Sequence, residues 1–312
     1  MELLFLGTGS GVPSKHRNVS SLALKLLDEL NEIWLFDCGE ATQHKILHTT
    51  LKPRKINKVF ITHMHGDHIY GLPGFLSSRS FQGGEDPLTI YGPKGIKHFV
   101  LSTLKLSHTR VSYRLKFVEF TDGDVLIDTD YCTVRVERLN HGVDAYGFRI
   151  EEKDKIGSLD AERLVADGVP FGPLFGRLKQ GEVVILDDGR EIDGKDYIGP
   201  DIKGRTVTIL GDTKPTEAIY RLAKGADVLV HEATFDHTDK DLAGSYNHST
   251  NVQAAHQAKS AGVKTLLLNH ISSRYLYHDV KALEQGAREV FKETYVMNDL
   301  DEYEILRDEH TS

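Results

Sequence analysis

The chain has 312 residues, 39% of them hydrophobic and 27% charged, with a net charge of −8. That composition is ordinary for a soluble globular protein, and the length allows one large α/β domain or two small ones. The acidic total excludes a surface that coats nucleic acid indiscriminately, although residues 1–120 hold a basic excess and the remainder an acidic one. Cys38 and Cys132 stand outside any paired metal motif, so no disulfide framework is expected and a reducing cytoplasm fits. The apolar run after Met1 has no basic lead and is too short for a signal peptide. No stretch approaches the ~20 apolar residues of a membrane span.

Glu2 to Ser10 reads as a strand running into a Gly-rich loop, without the third glycine and following helix of a dinucleotide motif. The loop continues as Pro13-Ser14-Lys15-His16-Arg17-Asn18. Ser20 to Leu27 and Glu32 to Phe36 form a predicted hairpin, and Ala41 to Thr49 a predicted helix. Lys58 to Thr62 is β-branched and apolar and ends abruptly in polar residues, as a buried strand does. A strand at Leu88–Pro93, a helix over about 94–106 and strands from about 111 to 150 follow. Residues 152–204 break this rhythm with scattered glycines, prolines and mixed charge, and Gly172 to Gly181 suits neither strand nor helix. Such a stretch is usually a functional loop or a linker. From 205 the alternation returns: a strand at Arg205–Leu210, a helix at Pro215–Lys224, a strand at Asp227–Val230, a helix over about 251–261 capped by Ser249 or Thr250, and a strand at Lys264–Leu268. Segments on both sides of 152–204 supply candidate ligands. The reading is therefore one domain, 1–312, with an insertion at 152–204. Asp301 to Ser312 carries no assigned element and reads as frayed.

The densest chemistry is Thr62-His63-Met64-His65-Gly66-Asp67-His68. Side chains two apart on extended chain point the same way, so His63 and His65 can grip one ion. Gly66 lets the backbone turn, which brings Asp67 and His68 near a second ion. Neutral imidazoles with a carboxylate and no thiolate suit catalytic zinc, and strand ends are where α/β proteins place their sites. His141, Asp212 and His270 each follow directly on a predicted strand. Singly, each is as easily a structural residue. A histidine oriented by a carboxylate is a suitable acid at neutral pH, but the spacing of Glu232 and His248 alone does not pair them.

His-x-His-x-Asp-His after a buried strand resembles the metallo-β-lactamase superfamily, which implies an αβ/βα sandwich with two metals held between two sheets. Within that superfamily the Pro13–Asn18 loop, the phrase Phe36 to Gln43, His231-Glu232-Ala233-Thr234, His248-Ser249-Thr250 and the insertion with Gly172-Pro173 are similar to the RNase Z family of tRNA 3′-processing endonucleases, in its short bacterial form. The likeness covers nearly the whole chain. It implies two zinc ions per subunit, one on His63, His65 and His141, the other on Asp67, His68 and His270, with Asp212 bridging. It further implies Asp67 as the base toward the attacking water and Glu232 with His248 as the proton-donating pair. Lys15, Arg17 and Asn18 would contact precursor tRNA beside the site. The 152–204 segment, with Gly172 and Pro173, would be a flexible arm that grips the tRNA body. A cytoplasmic homodimer that cuts after the discriminator nucleotide is expected, leaving a 3′-hydroxyl on the tRNA and a 5′-phosphate on the trailer. Another hydrolase of the superfamily would share the ligands without needing the Lys15/Arg17 loop, the His248 motif or the arm.

Overall fold

Strands that are apolar on both faces need cover on both faces. In this chain several strands, such as Glu2–Gly7, Thr206–Leu210 and Val228–Glu232, are buried almost throughout. The computed structural model describes residues 1–307. The main strands in chain order are β1 (Glu2–Gly7), β2 (Ser21–Leu26), β3 (Glu32–Phe36), β4 (Ile56–Phe60), β5 (Leu88–Gly92), β6 (Leu115–Glu119) and β7 (Val125–Asp128). They continue as β8 (Cys132–Arg138), β9 (Tyr146–Glu152), β10 (Thr206–Leu210), β11 (Val228–Glu232), β12 (Thr265–Asn269), β13 (Thr294–Val296) and β14 (Glu302–Glu304). Two seven-stranded sheets result, in the orders β14-β1-β2-β3-β4-β5-β6 and β13-β12-β11-β10-β9-β8-β7.

One apolar core lies between the sheets, with Phe5, Trp34, Phe36 and Phe60 from the first meeting Phe148, Ile209, Val230 and Leu267 from the second. Phe60 stacks on Phe36 and Tyr91 at centroid distances of 4.8 and 4.7 Å, and Phe148 meets it edge-on at 5.5 Å. Two further cores cover the outer faces with helices, one through Leu35, Val59, Phe75 and Val100, the other through Leu229, Leu266, Ala255 and Leu283. The layers are therefore helix, sheet, sheet, helix: the αβ/βα sandwich. β3 to β6 run parallel, as do β10 to β13, so within each set the carboxyl ends fall on one edge of the sheet. That edge is where loops of an α/β sheet converge to make sites.

Three expectations change. The helix read over Ala41–Thr49 is only Thr42–Ile46. A 14-residue helix, Tyr277–Val290, was not read from the sequence; it buries Leu283 and Ala287 in the outer core of the second sheet. Asp301 onward is not frayed through Arg307, because β14 pairs antiparallel with β1 (Leu4 opposite Glu302, Glu2 opposite Glu304). The rest of that reading, 308–312, lies outside the described residues.

The chain divides into two compact units: Met1–Glu151 with Thr206–Leu306, and Glu152–Arg205 with Arg307. The second unit is not irregular. It contains helices Ala161–Ala166 and Pro173–Lys179 and an antiparallel hairpin of Val183–Ile185 with Glu191–Asp193. Gly172 to Gly181, expected to be neither helix nor strand, is mostly helix, with Pro173 at the first helical position, where its fixed φ fits and its missing N–H costs nothing. Leu164, Val169, Leu178, Val184, Leu186 and Ile192 form the unit's own small core. Buried Glu152 pairs with Arg205 at 2.9 Å and with Arg307.

Candidate metal centre and active site

Every residue of the candidate cluster sits on a segment that leaves the end of a strand. His63 to His68 follow β4, Asp212 follows β10, Glu232 ends β11 and His270 follows β12. His141 follows β8 through a short loop. His270 has φ 54°, and Asp37, just after β3, has φ 56°. Non-glycine residues rarely adopt this left-handed region, and here side-chain bonds on both residues hold it. Gly66 was expected to provide a sharp turn. Instead it opens the one-turn helix Gly66–Ile69 without a positive φ, and a Cβ there would lie 2.2 Å from the Tyr70 ring. Its role is to admit that ring.

Three overlapping groups of donors converge. The ligand atoms of His63, His65, His141 and Asp212 lie within 4.8 Å of one another, as do those of Asp67, His68 and His270, and those of Asp212, His248 and His270. His63 Nε2 is 3.1 Å from His65 Nδ1, His141 Nε2 is 3.3 Å from the same atom, and His68 Nε2 is 3.3 Å from His270 Nε2. Asp212 reaches both of the first two groups, with Oδ2 3.6 Å from His63 Nε2 and Oδ1 3.5 and 3.3 Å from His68 and His270 Nε2.

In four of the five histidines the other ring nitrogen is already engaged. His63 Nδ1 faces Thr62 Oγ1 at 3.0 Å, His68 Nδ1 faces Asp37 Oδ2 at 2.7 Å, His141 Nδ1 faces the Asn247 carbonyl at 2.8 Å, and His270 Nδ1 faces Thr234 Oγ1 at 2.9 Å. Such partners set the tautomer and leave Nε2 lone pairs pointing inward, the arrangement of a metal-ligating histidine. Nitrogen pairs at about 3.1–3.3 Å share at most one proton each, so the convergence fits a cation better than a set of hydrogen bonds. Burial pushes the His63 and His65 pKa values down, toward the neutral form a metal needs. Burial opposes charge on His68 too, but Asp212 and Asp37 outweigh it and hold its pKa well above the ordinary value. A group so placed favours bound positive charge, as proton or as metal ion. The donor set of imidazoles and carboxylates suits a metal ion of the zinc type.

Asp67 is mostly buried. Burial raises its pKa, but hydrogen bonds with His270 and His68 win, so the carboxylate stays ionised. Its Oδ2 also accepts the Gly11 N–H at 2.8 Å. Glu232 is fully buried and heavily bonded. Oε1 accepts from the Thr213 N–H at 2.7 Å and faces His248 Nδ1 at 2.8 Å; Oε2 accepts from Thr234 Oγ1 at 2.7 Å and the Ser249 N–H at 3.2 Å. Burial lowers the His248 pKa, and the facing Glu232 carboxylate raises it more, to about 9. His248 is therefore an imidazolium at neutral pH, with Nδ1 held by Glu232 and Nε2 left to give a proton. Its Nδ1 stands 4.0 Å from Asp212 Oδ2, at the margin of the ligand cluster.

The substrate-contact residues divide. Lys15 is exposed, but Arg17 is only 8% exposed. The Arg17 guanidinium donates to Thr8 Oγ1 at 2.7 Å, the Met297 carbonyl at 2.6 Å and Asn298 Oδ1 at 2.9 Å. Asn18 is buried as well and donates to the Glu40 carbonyl at 2.8 Å. Arg17 and Asn18 thus brace the loop from inside. Gly172 and Pro173 begin the Pro173–Lys179 helix of the insertion, beside the exposed Phe171, whose ring lies 5.1 Å from Phe175. Sequence reading missed Asp37, Thr62, Thr234 and Asn247. Asp37 follows a strand, as the ligands do, and could have been found on that ground; the Asn247 contact is through a backbone carbonyl and leaves no sequence mark.

Comparison with known proteins adds the following. A family profile described as Anti-Pycsar protein Apyc1 matches residues 1–140. Ribonuclease Z of Latilactobacillus sakei is 60% identical over 305 residues, covering 98% of each chain. Ribonuclease Z of Streptococcus gordonii is 56% identical over 309 residues, covering 98% of this chain and 100% of its own. The crystal structure of the short form of human tRNase Z superposes with a TM-score of 0.71 at 29% identity, covering 98% of this chain and all of that one. The metallo-β-lactamase fold protein YhfI of Bacillus subtilis matches with a TM-score of 0.67 at 21% identity, covering 97% of this chain and 98% of its own, a likeness of fold alone.

Proposed function

The chain belongs to the ribonuclease Z family, and from that premise we propose that it binds two zinc ions per subunit and cuts tRNA precursors just after the discriminator nucleotide. It is a hydrolytic endoribonuclease of tRNA 3′ ends. His63, His65 and His141 would hold one ion, Asp67, His68 and His270 the other, and Asp212 would bridge them. Two such ions, when bound, supply Lewis acidity toward a phosphoryl oxygen and make a water nucleophilic at neutral pH.

The residues of the chain supply the proton traffic. Asp67, whose Oδ2 accepts the Gly11 N–H, is the base toward the attacking water and orients its oxygen toward phosphorus. As the P–O3′ bond breaks, His248 Nε2 gives its proton to the leaving 3′-oxygen of the discriminator, and Glu232 keeps the imidazolium in place throughout. The products are a tRNA with a 3′-hydroxyl and a trailer with a 5′-phosphate. The observation that carries this reading is the Glu232–His248 pair beside Asp212, which sets a proton donor at the edge of the ligand cluster, where a poor leaving group needs one. Lys15 supplies a phosphate contact from the loop, and the 152–205 unit, with Gly172 and Pro173, grips the tRNA body. We further read the working form as a cytoplasmic homodimer. No helix among the described residues is long and apolar enough to cross a membrane.

The test is cleavage of a 3′-extended precursor with and without a chelator, mapped to the nucleotide. A single chelator-sensitive cut beside the discriminator is the expected result. Hydrolysis of a small phosphodiester with no cut in the precursor would sink the substrate assignment.

A further inference from the structure

The loop from Gly9 to Asn18 borders two clefts. The one that holds His65 and Asp67 is also lined by Glu40, and contains no lysine or arginine. The other, about 690 Å³, lies between Ser14–Arg17 and Ser272–Glu284. Both walls of this second cleft are tied to the site: Ile271 donates its N–H to the Thr8 carbonyl at 2.8 Å, and Ser272 pairs with Ser10 beside the ligand His270.

The second cleft has unsatisfied chemistry. Lys15 and Lys281 are exposed, and neither has a carboxylate partner among the described residues. Lys281 Nζ stands 4.5 Å over the Tyr277 ring, yet Tyr277 is 78% exposed and its neighbour Leu276 62%. The acids of this wall are already engaged, Asp279 by the Leu276 N–H at 2.8 Å and Glu284 by the Val296 N–H at 2.9 Å. An exposed aromatic ring beside cations that no carboxylate neutralises is how proteins hold single-stranded nucleic acid: the ring stacks on a base and the cations follow the phosphates. A duplex offers no base face to such a ring. The tRNA side of the cut leads into the paired acceptor stem, whereas the trailer is unpaired.

We propose that this cleft is a subsite for the unpaired 3′ trailer, with a base stacked on Tyr277 and phosphates on Lys281 and Lys15. The inference rests on reading the chain as a tRNA 3′-end endonuclease.

The experiment compares two precursors with the same tRNA body, one ending in a single trailing nucleotide and one in a long unpaired trailer. For Tyr277→Ala combined with Lys281→Ala, KM on the long-trailer precursor should rise about tenfold, the scale of one lost base stack. KM on the single-nucleotide precursor should stay within about twofold of wild type, since it makes no stack to lose. Tyr277→Trp keeps a stacking face and should retain the wild-type KM, which a merely structural tyrosine would not predict. An equal rise on both precursors, as a duplex occupant would give, or no rise on either, overturns the subsite alone. A wild-type protein that cuts neither precursor overturns the subsite together with the function on which it rests.

Discussion

The ligand cluster and the 152–205 unit are built on opposite terms. In the cluster each of His63, His68, His141 and His270 has its second ring nitrogen held by a partner at 3.0 Å or less, and the carboxylates are nearly buried. In the 152–205 unit the apolar core is a handful of side chains, and the charged side chains, such as Arg177 paired with Glu182 and Arg190 with Asp188, lie in solvent. Exposed pairs of that kind contribute little to stability. The candidate chemistry lies where two large sheets and a set of hydrogen bonds hold the side chains. A unit of few buried contacts belongs to the low-stability part of a protein, where movement toward a ligand costs least. Changes in the first region should therefore cost rate, and changes in the second should cost substrate affinity.

The strongest break is Asp212→Ala. Removing the carboxylate that, among the described residues, reaches both groups should strip metal, as read by elemental analysis, and lower cleavage on the order of 10³-fold, from the loss of several kcal/mol of charge stabilisation. Retained metal with retained rate would refute its bridging role. Next is His248→Ala, which should keep its metal and lose about 10²–10⁴-fold in kcat. The wild-type rate should fall as pH rises through about 9, because the proton-donating form of His248 is lost there, and the variant should lack that basic limb. An unchanged limb would assign it to another group.

Asp37→Asn tests the cluster one layer out. It removes the acceptor that orients His68, and metal affinity should drop about 10–100-fold while the fold persists, measured by competition with a chromophoric chelator. Deleting 158–198 sharpens the contrast from the other side: KM for precursor tRNA should rise about tenfold or more, the loss of at least one good contact, while bis(p-nitrophenyl) phosphate is hydrolysed as before. Equal loss on both substrates would deny the unit a part in recognition. The smallest effect concerns His231, whose buried ring is pushed below its usual pKa of 6.5. A depressed folded-state pKa gives stability that is present above the unfolded value and lost as pH falls below it. The melting temperature of metal-free protein should drop modestly on acidification below about 6.5, and less so in His231→Gln.

The strands flanking the site were readable because both-face burial writes continuous apolar runs, as in Lys58 to Thr62 and Val228 to Val230. The insertion was recognised by its broken rhythm but misjudged inside, since a core as small as that around Leu178 leaves too few apolar positions to show a period. The Tyr277–Val290 helix was passed over although it buries Leu283 and Ala287 on one face. The bracing role of Arg17 is invisible in the sequence, because a basic residue in a polar loop looks free until the carbonyl of Met297 and the side chain of Asn298, about 280 residues away, are seen to receive it.

The sequence by itself determined the fold class and the donor inventory, because residue type and strand-end position are local properties. Only the tertiary structure decided which donors converge, that Glu232 bonds His248, that Arg17 turns inward, and that Lys281 and Tyr277 face the loop of Lys15. These depend on strands and loops far apart in the chain meeting at one edge of two packed sheets, and no local pattern encodes that meeting.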